Sequence, residues 1–391
     1  MMRFSSWKCV LMVFHWPKAG ASPRNRHIRT VRPRCCSKLI TGKTSSGSSM
    51  KLIPIFLPEE ACPYHCAFCN VRAANGVDAP VHSPRDVRSK IKTALKTLAT
   101  HYPGTSVEIA FFGGTFTAGD PALMARYLQE CTPFIGESGV SGIRVSTRPD
   151  CVDEKIILLL KEHGVTTVEL GVESFDDRVL RSLKRRHSAE TAIHAVGRLQ
   201  SSGFTTGIHL MTGCPEETEV SFQKTVLTTL ELKPDTVRLH PLLVLADTEL
   251  ARIGYEAPGC EETLNRLAMA TYCMESVGIP VIRIGLQPTD SLTRPGQVLS
   301  GCFHAALRHR VLSRIYQRFF RKINLQPKSS VTVPESHFSY AIGFKRENVI
   351  QFPGLTFVRD NRVKPWDVLV NGSCYHMLTE GLYEIKELLK R

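Results

Sequence analysis

Short apolar runs alternate with amphipathic stretches along the chain from residue 52 onward. The apolar runs are rich in Val, Ile and Leu, which is typical of strands that are buried on both faces. Six strands are predicted, over residues 52–57, 107–112, 143–147, 167–172, 206–211 and 236–240. The first helix is predicted to begin at Ser83, because Pro84 and Asp86 complete a capping box there. Four further helices are predicted, over about 121–134, 154–163, 188–203 and 219–232.

Six alternations of strand and helix indicate parallel strands joined by right-handed helical crossovers. Such strands form either an open doubly wound sheet or a partial (β/α)6 barrel, and periodicity does not separate the two. In both architectures ligands bind beyond the carboxyl ends of the strands. We therefore look for chemistry in the residues that follow each predicted strand.

The pattern loosens after Leu242. A helix over 261–277 and a seventh strand over 281–286, a candidate edge strand, complete the first region. A turn-rich link leads to a basic amphipathic helix over 308–323. Further strands are predicted at 331–333, 349–352, 355–358 and 368–370, and a final helix at 378–390. We thus predict a tail over 1–49, a core barrel over 50–290, and a small C-terminal α+β extension over 291–391.

The tail carries ten Lys and Arg residues and no Asp or Glu. That composition is typical of an organelle transit peptide, but no sustained amphipathic helix is present. We therefore favour a mis-assigned start codon, with Met50 as the natural start, and expect the tail to be disordered in either case. Without the tail the net charge falls from +14 to +4, so the high pI says little about nucleic-acid binding.

We expect a protein without a membrane span. The apolar run at residues 10–16 is far shorter than the ~20 residues that cross a bilayer. The thirteen cysteines argue against a complete disulfide framework and favour metal or catalytic use in a reducing compartment. The expected location is the cytoplasm, or an organelle matrix if the tail is a transit peptide.

Cys62, Cys66 and Cys69 follow the first predicted strand in the spacing C-x3-C-x2-C, with Phe68 before the third cysteine. Three thiolates this close indicate a metal or iron–sulfur site. A four-iron cluster held by three cysteines keeps one iron open for a small molecule. The alternatives are a zinc site, which usually has four protein ligands, and ordinary buried cysteines.

This cysteine spacing resembles that of the radical S-adenosylmethionine (radical SAM) superfamily. The segments FFGGTFT (111–117), STRPD (146–150) and VELGVES (168–174) resemble the core of the Elongator catalytic subunit and its bacterial relatives. They are similar, more loosely, to oxygen-independent coproporphyrinogen oxidases. The resemblance covers roughly residues 50–290. It implies a partial barrel, a [4Fe–4S] cluster, and reductive cleavage of SAM to a 5′-deoxyadenosyl radical that abstracts hydrogen from a substrate.

The resemblance also implies SAM contacts. Gly113 and Gly114 would bind the amino group of SAM through backbone carbonyls, and Thr115 stands where many superfamily members have an acidic residue. Glu173 is the candidate for the ribose hydroxyls, with Arg148 or Ser146 assisting. The alternative is an ion pair between Arg148 and Glu173 that only joins two loops.

The segment after the fifth strand resembles the part of the family that lies against the adenine. Met211 would supply an apolar contact there, and Cys214 is a candidate catalytic thiol or a structural cysteine. The basic run at 184–187 would bind a carboxylate or phosphate, or would simply be a solvated helix end.

The Elongator subunit uses acetyl-CoA to modify a wobble uridine of tRNA. Residues 291–391 contain no R-x-x-G-x-G/A loop to bind the CoA pyrophosphate, so we expect no acetyl-CoA. We also find no counterpart of the long tRNA-binding extension upstream of the barrel, so we do not expect wobble-uridine carboxymethylation. We favour an RNA substrate, with reduced flavodoxin or ferredoxin as electron donor. The alternatives are a coproporphyrinogen dehydrogenase-like protein or haem chaperone, and a non-enzymatic zinc- or iron-binding module. The helix over 308–323 would contact a nucleic acid or would be an ordinary helix with a solvated cationic face.

Overall fold

The computed structural model describes residues 50–57, 62–70, 73 and 83–380. The predicted tail over 1–49 lies outside these residues, as does the predicted final helix from residue 381 onward. No helix in the described part of the chain is long and apolar enough to cross a lipid bilayer.

A parallel sheet of seven strands positions the rest of the chain, and the predicted alternation of strands and helices is confirmed. Its order is β1-β2-β3-β4-β5-β6-β8, with the predicted seventh strand at one edge. The strands of the chain are β1 (Lys51–Phe56), β2 (Val107–Phe112), β3 (Val140–Thr147), β4 (Val165–Glu173), β5 (Thr205–Thr212), β6 (Thr236–Pro241), β7 (Val244–Leu245), β8 (Val281–Ile284), β9 (Val298–Ser300), β10 (Ser330–Val333), β11 (Thr356–Arg359), β12 (Asp367–Val370) and β13 (Ser373–His376).

Helices connect the strands and cover one face of the sheet. The first begins as predicted, because the Ser83 hydroxyl accepts from the Asp86 amide and the Asp86 carboxylate accepts from the Ser83 amide. The helices are α1 (Pro84–His101), α2 (Pro121–Cys131), α3 (Glu154–Glu162), α4 (Asp177–Ser182), α5 (Ala189–Ser201), α6 (Glu219–Leu232), α7 (Glu249–Arg252), α8 (Cys260–Ser276), α9 (Asp290–Thr293), α10 (Leu307–Lys322), α11 (Phe338–Ile342) and α12 (Glu347–Gln351).

The two faces of the sheet differ in polarity. One face is apolar and packs against the helices through fully buried side chains such as Ile109, Val145 and Ile208. Burying each of them stabilises the fold by about 1.5–3 kcal/mol. Because side chains alternate along a strand, the intervening positions point to the opposite face. Those positions carry charged residues such as Glu108 and Arg144, so the second face is polar.

A second sheet, in the order β11-β10-β12-β13, follows α10. The predicted strand at 349–352 is wrong, because most of this segment lies in α12. The Asn348 side chain, fully buried, donates to the carbonyls of Ser313 and Ala341 and fixes the helical turn, while Ile350 remains exposed. These tertiary contacts override the local β-propensity of an Asn-Val-Ile run.

The predicted boundary near residue 290 stays a prediction. β7 and β9 pair across it, and a disulfide joins Cys260 to Cys302. The predicted apolar side of α10 is buried, and its basic side reaches α8: Arg314 pairs with Glu261 at 2.8 Å. Arg310 and Arg314 of α10 are therefore both held next to Glu261 of α8.

Candidate functional site

A cavity of about 690 Å³ lies on the polar face of the sheet. Its walls include the residues that directly follow β2 and β3 and the last residue of β4, as expected for a parallel sheet. The structure brings together here the three motif cysteines and every predicted SAM contact, namely Cys62, Cys66, Cys69, Gly113, Gly114, Thr115, Ser146, Arg148, Glu173 and Met211.

The cysteine loop is fixed at its middle by backbone hydrogen bonds. The buried Ala67 donates its amide to the carbonyl of Leu183 and accepts from the amide of Leu250, both at 3.0 Å. Further along, the Asn70 side chain donates to the carbonyl of Ala246. The loop is therefore held against the segments that follow β4 and β6, and its three thiols lie on the cavity wall.

Two guanidinium groups approach the central cysteine. Nη1 of Arg185 lies 3.4 Å and Nη1 of Arg148 lies 3.9 Å from Cys66 Sγ, while the Thr115 hydroxyl lies 3.4 Å from Cys62 Sγ. Burial raises the pKa of the Cys66 thiol, although Arg185 acts in the opposite direction. The thiol therefore keeps its proton until a metal replaces it, and the two arginines then offset the negative charge of the ligands.

This arrangement fits an iron–sulfur cluster. Within the described part of the chain, no three Cys, His, Asp or Glu side chains gather around one point that a single metal ion would occupy. In a four-iron cubane the thiolates bind different irons, so they need not meet at one point. Three soft thiolate donors on one loop of an open cavity are the donor set that such a cluster takes.

The glycine pair after β2 leaves the backbone accessible to a ligand. Gly113 has a φ of +107°, a conformation that favours glycine. A second close approach occurs at Gly171 in β4, where an added Cβ would lie 3.0 Å from Oε1 of Glu173 and 3.3 Å from Nη2 of Arg185. Gly171 therefore lets these two side chains cross the strand beside the cavity.

Glu173 ends β4 in an unusual backbone conformation. Its φ is +66°, in the left-handed region, and the register with β5 shifts between Gly171 and Glu173. Its Oε1 lies 4.0 Å from Nη2 of Arg185, which also donates to the carbonyl of Gly171. Such outliers are concentrated at functional sites, where the surrounding structure holds them.

Arg185 was named by the sequence only as part of the basic run at 184–187. The solvated-helix-end interpretation of residues 184–187 is wrong for Arg185 and His187, which are both buried. Burial, together with the charge of Arg185, lowers the pKa of His187 to about 4, and its Nε2 contacts the carbonyl of Val172. Lys184 has a φ of +56°, a turn that directly precedes Arg185 and that periodicity does not reveal.

Arg148 has a different acidic partner from the one considered above. Its Nε donates to Asp150 at 3.0 Å, and its guanidinium stacks on the ring of Tyr64 with the centroid 3.8 Å away. The alternative Arg148–Glu173 pair is therefore wrong, because each residue has another ion-pair partner. Ser146 donates to Glu169 at 3.3 Å and also lines the cavity.

Met211 and Cys214 belong to one small apolar cluster. Met211 reaches the cavity, whereas Cys214 is only 3% exposed and does not line it. Burial raises the pKa of the Cys214 thiol well above its usual value. This placement does not support a catalytic thiol, and the role of Cys214 stays a prediction.

A buried ionic network, which the sequence analysis missed, underlies the cavity. Arg144 lies between two carboxylates, 2.6 Å from Glu108 and 2.6 Å from Glu169, and Arg238 lies 2.8 Å from Glu169. The sequence did contain a signal for this network, because each of these charged residues lies inside a predicted or observed strand. A charge at such a position indicates a polar inner face.

Comparison with known proteins agrees with this geometry. Residues 58–228 match the family model of the Radical SAM superfamily. Over 169 residues the chain is 31% identical to the tRNA uridine(34) acetyltransferase of Methanocaldococcus infernus, covering 38% of this chain and 32% of that protein. Over 240 residues it is 28% identical to the protein of the same description from Methanocaldococcus jannaschii, covering 52% and 44%. The chain thus spans less than half the length of these relatives.

The structure of the Methanocaldococcus infernus Elp3 with an N-terminal deletion (1–46) is similar to this one. The TM-score is 0.52 at 21% identity, over 72% of this chain and 65% of that chain. This similarity establishes the fold alone, and it confirms the predicted partial barrel.

Proposed function

We infer that this enzyme, a radical SAM protein with an Elongator-like core, binds a [4Fe–4S] cluster through Cys62, Cys66 and Cys69. One observation carries the proposal: the three cysteines and all predicted SAM contacts line the same cavity. When bound, the reduced cluster supplies one electron that splits SAM into methionine and a 5′-deoxyadenosyl radical, which abstracts hydrogen from a substrate.

The residues of this chain would bind and orient SAM. The backbone carbonyls of Gly113 and Gly114 would accept hydrogen bonds from its amino group. Glu173 would accept hydrogen bonds from the ribose hydroxyls, and Met211 would contact the adenine. Arg185 is the nearest cation to the cysteines and serves either the SAM carboxylate or the thiolates.

We propose RNA as the substrate class, with reduced flavodoxin or ferredoxin as the electron donor. Support for RNA comes from relatives described as tRNA uridine(34) acetyltransferases. We do not extend the use of acetyl-CoA to this chain, because the matches cover only 32% and 44% of those relatives.

Anaerobic reconstitution of the full chain with iron and sulfide tests the reaction class. We expect about four irons and four sulfides per chain. After reduction and addition of SAM, we expect 5′-deoxyadenosine, measured by liquid chromatography. Zinc without sulfide would contradict the proposal, as would a fully loaded cluster that neither binds nor cleaves SAM.

Replacing Glu173 with Gln should raise the SAM concentration for half-maximal deoxyadenosine formation about ten- to a hundredfold, the usual cost of losing a hydrogen bond to a charged group. The variant should keep its iron content, because Glu173 is not a cluster ligand. The matched control is Glu137→Gln, at an exposed position. Unchanged half-saturation with an intact cluster would limit Glu173 to its ion pair with Arg185.

A further inference from the structure

Four basic side chains lie next to one another on β5, β6 and β8, and we call them the basic row: His209, Arg238, His240 and Arg283. Arg238 is the register partner of His209 on one side and of Arg283 on the other. His240 lies two residues beyond Arg238 and so shares its face, with its ring 5.9 Å from that of His209. All four residues line the cavity that holds the cysteines.

The basic row has more positive charge than the buried carboxylates neutralise. The carboxylates of Glu108 and Glu169 form ion pairs with Arg144 and Arg238. Arg283 instead donates to two neutral oxygens, the carbonyl of Gly285 and the side chain of Gln287, both at 3.2 Å. Across residues 50–57, 62–70, 73 and 83–380, no carboxylate lies within ion-pair distance of Arg283.

Two buried nitrogens in the basic row also have no hydrogen-bond partner within the described chain. They are Nε of Arg238 and Nδ1 of His240. A buried polar atom without a partner is costly, so a ligand that supplies one is favoured. Burial, followed by the charges of its basic neighbours, lowers the pKa of His240, and burial with the charge of Arg238 lowers that of Arg283. An anion at this point would relieve the crowding of like charges.

The basic row is separate from the cations beside the cysteines. Arg148 and Arg185 approach Cys66 and already pair with Asp150 and Glu173. The opposite edge of the sheet contributes apolar side chains of β1 and β2 to the same cavity, including Phe56 and Phe112. The cavity therefore has a thiol wall, an apolar wall and a basic wall.

We propose that the basic row binds an oxyanion of the substrate, a phosphate or a carboxylate, and so anchors the substrate while another part of it faces the cysteines. Arginine suits both anions, because its planar fork donates two parallel hydrogen bonds. The inference rests on the proposed function, since it states that the substrate of the proposed radical SAM site is an anionic molecule.

The test measures anion binding to the full, reconstituted chain at constant ionic strength. Inorganic phosphate and malonate are titrated separately, and binding is followed by the shift in thermal unfolding and by equilibrium dialysis. We expect saturable binding of at least one anion. In Arg283→Gln the anion concentration at half-saturation should rise at least about tenfold, because the guanidinium that has no carboxylate partner is removed. Arg126→Gln, which removes the same charge from an exposed position on α2, should behave like the wild type.

The variant Arg283→Lys distinguishes the loss of the positive charge from a loss of anion binding caused by misfolding. It keeps the cation but loses the fork, so it should bind the anion with intermediate affinity. Selective binding of phosphate would support a phosphorylated or nucleotide substrate, and selective binding of malonate a carboxylate substrate. Equal half-saturation in wild type and Arg283→Gln, or no saturable binding of either anion, would overturn the inference. Deoxyadenosine formation by the wild type is scored separately, so failure of the anion site and failure of the radical SAM proposal are distinguishable.

Discussion

Replacing Cys66 with Ala is expected to reduce SAM cleavage to background. Cys66 is the central thiol of the loop and the one that both Arg148 and Arg185 approach. Its loss removes one of the three proposed iron ligands, which a four-iron cluster needs. The measurements are iron and sulfide content after anaerobic reconstitution, and deoxyadenosine formed per chain.

The control for this variant is Cys374→Ala. Cys374 lies in the exposed strand β13, so the substitution removes a thiol without touching the cavity. We expect it to retain cluster loading and SAM cleavage. The cluster assignment would be contradicted if Cys66→Ala loaded iron and cleaved SAM as the control does, or if both variants lost activity together.

The cysteine loop and the glycine pair could be predicted because their signals are local. The spacing of Cys62, Cys66 and Cys69 lies within eight residues of sequence, and Gly113 directly follows a predicted strand. By contrast, periodicity predicted parallel strands but did not distinguish a partial barrel from an open sheet. The resemblance to a known family supplied that choice, and the similarity to a solved fold confirmed it.

The basic side of the cavity could not be predicted in the same way. His209, Arg238 and Arg283 become neighbours only through the register of three strands, which a single sequence does not encode as a motif. The burial of Arg185 beside Cys66 was missed for a related reason, since it follows a turn at Lys184 with positive φ. Chemistry that depends on register or on one turn requires the fold to be known.

Replacing Glu169 with Gln is expected to lower the free energy of unfolding by about 3–5 kcal/mol, the usual cost of breaking a buried ion pair. Glu169 is 1% exposed and lies 2.6 Å from Arg144 and 2.8 Å from Arg238. Gln keeps the shape and some hydrogen bonds but removes the charge. Arg144 retains Glu108, whereas Arg238 loses its carboxylate partner. Urea unfolding of the apo-protein measures the change, with Glu162→Gln on the exposed side of α3 as the matched control.

The effect of Glu169 should depend on pH in a defined direction. Burial alone would raise the pKa of this carboxyl, but His209, Arg238 and Arg144 together outweigh burial and hold the pKa well below its usual range. A carboxyl with a lowered folded-state pKa stabilises the fold above its unfolded pKa of about 4.3, and this contribution is lost as the pH falls. The difference in stability between wild type and Glu169→Gln should therefore be largest near neutral pH and shrink below about pH 4. The charge interaction would be contradicted if the difference in unfolding free energy between wild type and Glu169→Gln stayed constant from neutral to acidic pH. The loss of stability would then be steric, because it would not depend on the ionisation of the Glu169 carboxyl.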